Sequence, residues 1–228
     1  MTSSVKEFYD RIQFPGAYTM EQLSAYETPI ANPYLRIIDE QISSGQTILD
    51  VGCGTGLVTN LLGLRHPTSR FTGIDFSQSI MVGRSFSHSH NLDNVCFLQQ
   101  DVFDLDFKNY FDVVICQGVL HHIPNYHKAL EILVNFVKPG GTLILGLYHP
   151  AGKIIKKIFQ VDYGNDVLFQ DQELNPFEIS LTLDQIKESL EEFTLCRAYP
   201  RYLNNYWIPS FLNYKNGGLV TYVLQKSN

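Results

Sequence analysis

Residues 50 to 56 read Asp-Val-Gly-Cys-Gly-Thr-Gly, a run with the spacing of a ligand-binding loop. Glycines let a backbone approach a ligand without a Cβ in the way. A helix that starts directly after them offers unpaired N–H groups to a carboxylate or phosphate. The spacing separates the possible ligands: a dinucleotide fingerprint GxGxxG opening at Gly52 requires Gly or Ala where Leu57 stands, and GxxxxGK[ST] is absent. A nicotinamide oxidoreductase is therefore disfavoured. Further polar groups follow at Asp75, Asp101 and Gln117-Gly118-Val119-Leu120-His121-His122. Imidazole changes charge near neutral pH, so His122, and after it His121, are candidate bases for taking a proton from an oxygen or nitrogen nucleophile. A metal centre is not expected, because the 7 histidines include no HExxH and Cys53, Cys96, Cys116 and Cys196 form no CxxC pair. The four cysteines are expected as reduced thiols at buried strand or loop positions.

These side chains need a scaffold that brings them to one edge. From about residue 33 to 148, short apolar runs alternate with helical patterns. The runs predict strands over 47–51, 70–75, 95–100, 111–116 and 141–147. Helices are expected to open at Pro33, to span 57–65, to start near Ser77 as N-cap, and to cover 126–137. Lys138-Pro139-Gly140-Gly141 is the expected stop and turn. Apolar strands joined by helical crossovers imply a parallel sheet with helices on both faces, an α/β doubly wound fold. Such sheets bind ligands beyond the carboxyl ends of their strands, beside the first strand, where the glycine loop falls. After Pro150 the pattern changes: Lys153 to Phe159 reads as a short basic amphipathic helix and 160–178 as polar and acidic. Thr182-x-x-Gln185 is a capping box, and two last strands are expected over 194–199 and 219–225. The chain divides as one domain, 1–228, with an N-terminal lid (1–32), a core (33–148), an insertion or lid (150–180) and a C-terminal part of the sheet with an aromatic loop (181–228).

The Asp-x-Gly-x-Gly-x-Gly loop after the first strand resembles the first motif of class I S-adenosylmethionine (SAM) dependent methyltransferases of the small-molecule type. The resemblance extends over about residues 33 to 148. It implies a Rossmann-like, mostly parallel seven-stranded sheet whose last strand is antiparallel, with SAM as cofactor and S-adenosylhomocysteine (SAH) as product. It further implies that Asp50 organises the SAM amino group, Gly52 and Gly54 line the methionine part, and Asp75 accepts the ribose hydroxyls. Phe76 would lie beside the adenine with Met81 near it, while Asp101 and the Val102 amide would meet the ring. Gln117 and the loop after it would line the methyl-donor and acceptor sides, and His122 matches a histidine that some small-molecule methyltransferases use. Tyr9 and Tyr18 lie in an N-terminal segment that related enzymes fold across the SAM pocket. An aromatic face beside a sulfonium gains about 0.5 to 2 kcal/mol from cation–π attraction. The competing readings are helix capping for Asp50 and Asp75, and simple core packing for Phe76, Met81, Tyr9 and Tyr18.

Composition narrows the partners. With 17 basic against 23 acidic residues the net charge is −6, which argues against a protein tracking a nucleic-acid backbone. No stretch approaches 18 apolar residues, and the first residues carry no signal or transit pattern, so no membrane span and a cytoplasmic location are expected. Seven aromatics fall between Tyr199 and Tyr222, with Tyr206 and Trp207 as candidate substrate contacts. The same stretch could equally cover a sheet edge or a dimer surface, and monomer and homodimer both stay open. The expected activity is methyl transfer to a small organic acceptor. The alternatives are a protein or RNA methyltransferase, or a SAM-binding partner protein without turnover.

Overall fold

The computed structural model describes residues 3–25, 33–150, 175–199, 202–203, 206–207 and 219–228. Two short helices, α1 (Ser3–Arg11) and α2 (Met20–Ala25), precede α3 (Pro33–Asp39). Five strands follow: β1 (Thr47–Val51), β2 (Arg70–Asp75), β3 (Val95–Gln99), β4 (Phe111–Gln117) and β5 (Val137–Tyr148). Between them lie α4 (Leu57–Arg65), α5 (Ile80–Ser89) and α6 (Tyr126–Phe136). The chain then forms α7 (Leu183–Ile186), β6 (Phe193–Tyr199), the hairpin β7 (Tyr202–Leu203) and β8 (Tyr206–Trp207), and β9 (Leu219–Lys226).

Seven strands pair in the order β3-β2-β1-β4-β5-β9-β6. β1 to β5 are mutually parallel, whereas β9 runs antiparallel to both β5 and β6. This is the doubly wound, mostly parallel sheet expected from the apolar runs. Its strands are apolar on both sides because both sides are covered. Neighbouring Ile48 and Leu49 point into different clusters, Ile48 with Leu61, Phe71 and Ile115 under α4, Leu49 with Val114, Leu143 and Leu133 under α6. Each fully buried side chain of this size contributes about 1.5 to 3 kcal/mol, which is why these five short segments hold strand geometry.

Several local expectations are corrected. Ser77 is not the N-cap of α5, which begins at Ile80; its amide and hydroxyl donate to Asp75 instead. β3 ends at Gln99, one residue early, where the Gln100 amide turns to the Asp75 carbonyl. Lys138 to Gly141 interrupts the β4–β5 register inside β5, because Val137 pairs Phe111 while Thr142 pairs Val113. Gly140, at φ 68°, makes this excursion possible. Cys53 is half-buried and Cys116 buried as expected, but Cys96 and Cys196 are exposed because each lies on an edge strand. The capping contact survives, with the Thr182 amide donating to Gln185 Oε1 at 2.8 Å. The helix over Lys153 to Phe159 lies outside the described residues. No helix among the described residues is long and apolar enough to cross a membrane.

Candidate active site

The glycine loop leaves β1 and folds over the end of β2, where the amides of Gly52 and Cys53 both donate to the Ile74 carbonyl at 2.8 and 3.0 Å. Gly52 (φ 70°), Gly54 (φ 55°) and Gly56 (φ 74°) occupy the left-handed region that side chains resist. At Gly54 a Cβ would also collide with the Phe14 carbonyl oxygen, which accepts the Thr55 amide at 3.0 Å. The N-terminal segment therefore rests directly on the loop. This turn aims the Gly54 amide at Asp75 Oδ2, 2.9 Å away.

Asp75 is 8% exposed and also accepts the Ser77 amide (2.8 Å) and hydroxyl (2.7 Å) on Oδ1. A carboxylate offers about four acceptor positions, and the described residues fill three. Burial raises the Asp75 pKa against the pull of those three hydrogen bonds. Asp50 ends up inside the loop, where Thr59 of α4 donates to its Oδ2 at 2.6 Å. Burial pushes Asp50 up to about 6, with the nearby Asp75 charge acting in the same direction. Asp101 caps the 3-10 turn Val102–Asp104, accepting the Phe103 amide at 3.2 Å, and Val102 is buried. Asp50, Asp75 and Asp101 thus stand at the carboxyl ends of adjacent strands. At about 4.8 Å per strand they span roughly 10 Å, the reach of a nucleoside.

Gln117 is the last residue of β4, which runs one residue beyond the expected 116; it crosses Gly146 of β5, whose missing Cβ leaves the space it occupies, and donates to Thr221 Oγ1 of β9 at 2.7 Å. His121 and His122 follow on the 3-10 turn Leu120–His122, both buried. Their hydrogen bonds require opposite tautomers. His122 Nδ1 is 3.0 Å from the Phe177 carbonyl, which only accepts, so Nδ1 carries a proton and, in the neutral ring, Nε2 the lone pair. His121 Nδ1 receives the Tyr148 amide at 3.4 Å, so its proton sits on Nε2, and its ring stacks on Tyr148.

The N-terminal helix closes this edge. The Tyr9 ring lies edge-on to Phe76 (6.2 Å) and His122 (6.1 Å). Its carbonyl accepts Ser79 Oγ at 3.0 Å, while Asp10 accepts the Gln78 amide at 2.8 Å. Tyr18 sits on the other side of the loop, donating to the Thr55 carbonyl and accepting from Asn60. Burial raises its pKa, against the Asn60 hydrogen bond. The structure therefore groups Asp50, Gly52, Gly54, Asp75, Phe76, Asp101, Val102, Gln117, His122 and Tyr9 along the carboxyl edge. Met81 stands apart: it is 45% exposed on α5, its sulfur facing Arg84. Tyr206 and Trp207 form a two-rung pair with Leu203 and Tyr202, and their side chains lie outside the described residues. Among the described residues no group of three or more His, Cys, Asp or Glu is placed to hold a metal ion.

Sequence reasoning missed Thr59, Thr221, Asn175 and the Phe177 carbonyl. The first two lie in regular elements where threonine is unremarkable. The last two fall within 160–178, a polar, acidic and weakly periodic stretch, and a backbone carbonyl has no sequence signature.

The fold and this edge are those of class I SAM-dependent methyltransferases. A family model described as a methyltransferase domain matches residues 42–193, more than half of the chain, and the protein belongs to that family, whose cofactor is SAM. The ubiquinone biosynthesis O-methyltransferase of Coxiella burnetii is 34% identical over 119 residues, 50% of this chain and 49% of that protein. The demethylmenaquinone methyltransferase of Staphylococcus aureus is 34% identical over 125 residues, 53% of this chain and 51% of that protein. The chain spans about half the length of these curated relatives. The magnesium protoporphyrin IX methyltransferase of Synechocystis, solved with bound SAH, superposes with a TM-score of 0.63 at 18% identity, covering 99% of this chain and 95% of that one, and shares the fold.

Proposed function

We propose that this protein transfers a methyl group from SAM to a small organic acceptor, with His122 as general base. The observation that carries this reading is the His122 tautomer, whose lone-pair nitrogen belongs to a ring standing beside Tyr9 at the end of β4. The acid row supports the cofactor half: among the described residues Asp75 keeps one acceptor position for a ribose hydroxyl, Asp101 and the Val102 amide stand one strand further out, and buried Asp50 gains most from a nearby ammonium group. Gly52 and Gly54 give the loop its turn, and Phe76 with Tyr9 provides an aromatic wall. When bound, SAM would supply an electrophilic sulfonium methyl carbon, to which an aligned nucleophile would bond as the carbon–sulfur bond breaks and SAH leaves. The protein's own work is alignment, exclusion of water under α1, and removal of the acceptor proton by His122 Nε2. His121 holds its proton on Nε2 and packs on Tyr148, which fits a supporting role.

The names of the two curated relatives favour quinone-type aromatic acceptors as the first class to test. Tyr206 and Trp207 are proposed as part of the wall that such a ring would meet. Calorimetric titration with SAM, SAH and NADH in parallel tests the cofactor, the expected result being micromolar binding of SAM or SAH and none of NADH. SAH release with a panel of phenols, catechols and quinols, for the protein and for His122→Ala, then tests the reaction.

A further inference from the structure

The segment returning from the region after β5 runs alongside the histidine pair. The Ile179 amide donates to the His121 carbonyl at 3.0 Å and the Leu181 amide to the Tyr148 carbonyl at 2.9 Å. Asn175, at the start of this described segment, reaches the N-terminal helix, and its two ends do different work. Its Oδ1 accepts the Phe177 amide at 3.1 Å, and its Nδ2 donates to the Tyr9 hydroxyl at 2.9 Å. The amide orientation follows from chemistry, since a backbone N–H can only donate. The first contact closes a local turn of the kind asparagine makes with the residue two positions on. The carbonyl of that same Phe177 is the one that holds the His122 proton on Nδ1. The second contact reaches α1, which is also fixed at the far side of the cleft by Ser79 and Gln78.

We propose that Asn175 is a positioning residue: it sets the turn that presents the Phe177 carbonyl to His122, and ties that turn to Tyr9 of the N-terminal helix. Proton placement on the base and docking of α1 over the cleft are thereby linked through one side chain. His122 Nε2 keeps its lone pair because Nδ1 has a fixed acceptor, much as an acid holds the histidine of a hydrolase in one tautomer. The importance of this for catalysis rests on the base reading of His122, but the positioning itself does not.

The test is long-range proton–nitrogen correlation NMR on the full chain labelled with ¹⁵N-histidine, the His122 signals being assigned by their loss in His122→Gln. The unaltered protein is expected to show the Nδ1–H form. Asn175→Ala and Asn175→Gln, neither of which can close the turn, should each lower the Nδ1–H to Nε2–H ratio at least fivefold. Asn175→Asp keeps an acceptor for the Phe177 amide and should retain the signature. An unchanged signature in the Ala and Gln variants, or an equal loss in the Asp variant, overturns the proposal. Amide exchange reads the tie to α1: exchange at Ile12, whose amide donates to the Phe8 carbonyl of α1 at 2.9 Å, should accelerate at least threefold in both Asn175→Ala and Tyr9→Phe, and an unchanged rate in Asn175→Ala removes that half. Turnover separates this from the base reading, since full activity in His122→Gln rejects the base while leaving the tautomer result standing.

Discussion

The backbone amide of Gly54 donates to the Asp75 carboxylate at 2.9 Å, so the loop that leaves β1 is tied to the acid that ends β2. Removing the carboxylate should therefore act twice. Asp75→Ala is expected to weaken SAH binding more than tenfold, which is about 1.4 kcal/mol, as read by calorimetry. It should also lower stability to urea by about 1 to 3 kcal/mol, because the Gly54 and Ser77 amides lose their acceptor. Unchanged SAH affinity would remove the ribose assignment.

Gly54→Ala tests the seating of the N-terminal segment. A side chain at φ 55° costs roughly 1 to 2 kcal/mol in backbone strain, and its Cβ would push on the Phe14 carbonyl. The expected outcome is weaker SAH binding with faster proteolytic cleavage before residue 20. If cleavage is unaltered, the contact between loop and segment is not what holds that segment down.

Asp50 gives a pH dependence with a defined sign. Burial lifts its folded value to about 6, above the ordinary aspartate value near 3.9, so the folded state binds the extra proton. The favourable contribution is complete below pH about 4 and lost as pH rises through about 6. Asp50→Asn, which can still accept from Thr59, should be the more stable protein at pH 7 to 8 in the absence of SAM, by on the order of 3 kcal/mol. The gap should close toward pH 4. Urea denaturation across this range measures it, and a pH-independent gap would mean Asp50 is not the titrating group.

His122→Ala should retain SAH affinity within about threefold while turnover with a hydroxylated acceptor falls about 10²- to 10⁴-fold, the usual contribution of a general base. His121→Ala is expected to lose stability more than turnover, because His121 packs on Tyr148 and its lone pair serves a backbone amide. Normal turnover in His122→Ala would reject the base assignment.

Most of the fold was legible because its signals are local. Five apolar runs of strand length and a glycine triplet predict the parallel core; β3 and β4 depart from the runs by one residue at their ends, whereas β5 starts four residues early at Val137 and takes in the Lys-Pro-Gly-Gly stretch expected as a stop. Ser77 shows where a local rule loses. Serine before a helix reads as a cap, but here the nearest acceptor with a buried charge is Asp75, and the Ser77 amide and hydroxyl bind that carboxylate while the helix begins at Ile80. The helices α1 and α2 went unread because six to nine residues give too little periodicity against a background of exposed positions.

What the amino-acid sequence determined alone was the glycine loop, the acids at the ends of consecutive strands, and the presence of a histidine pair. Each is a matter of residue type at fixed spacing within one βα unit. Which histidine carries its proton where was decided only by tertiary structure. The acceptors involved are a carbonyl 55 residues from His122 and an amide 27 residues from His121, brought there by the pairing of β5 and the return of the chain past it. A tautomer depends on hydrogen-bond partners that are distant along the chain, and backbone partners carry no mark in the sequence.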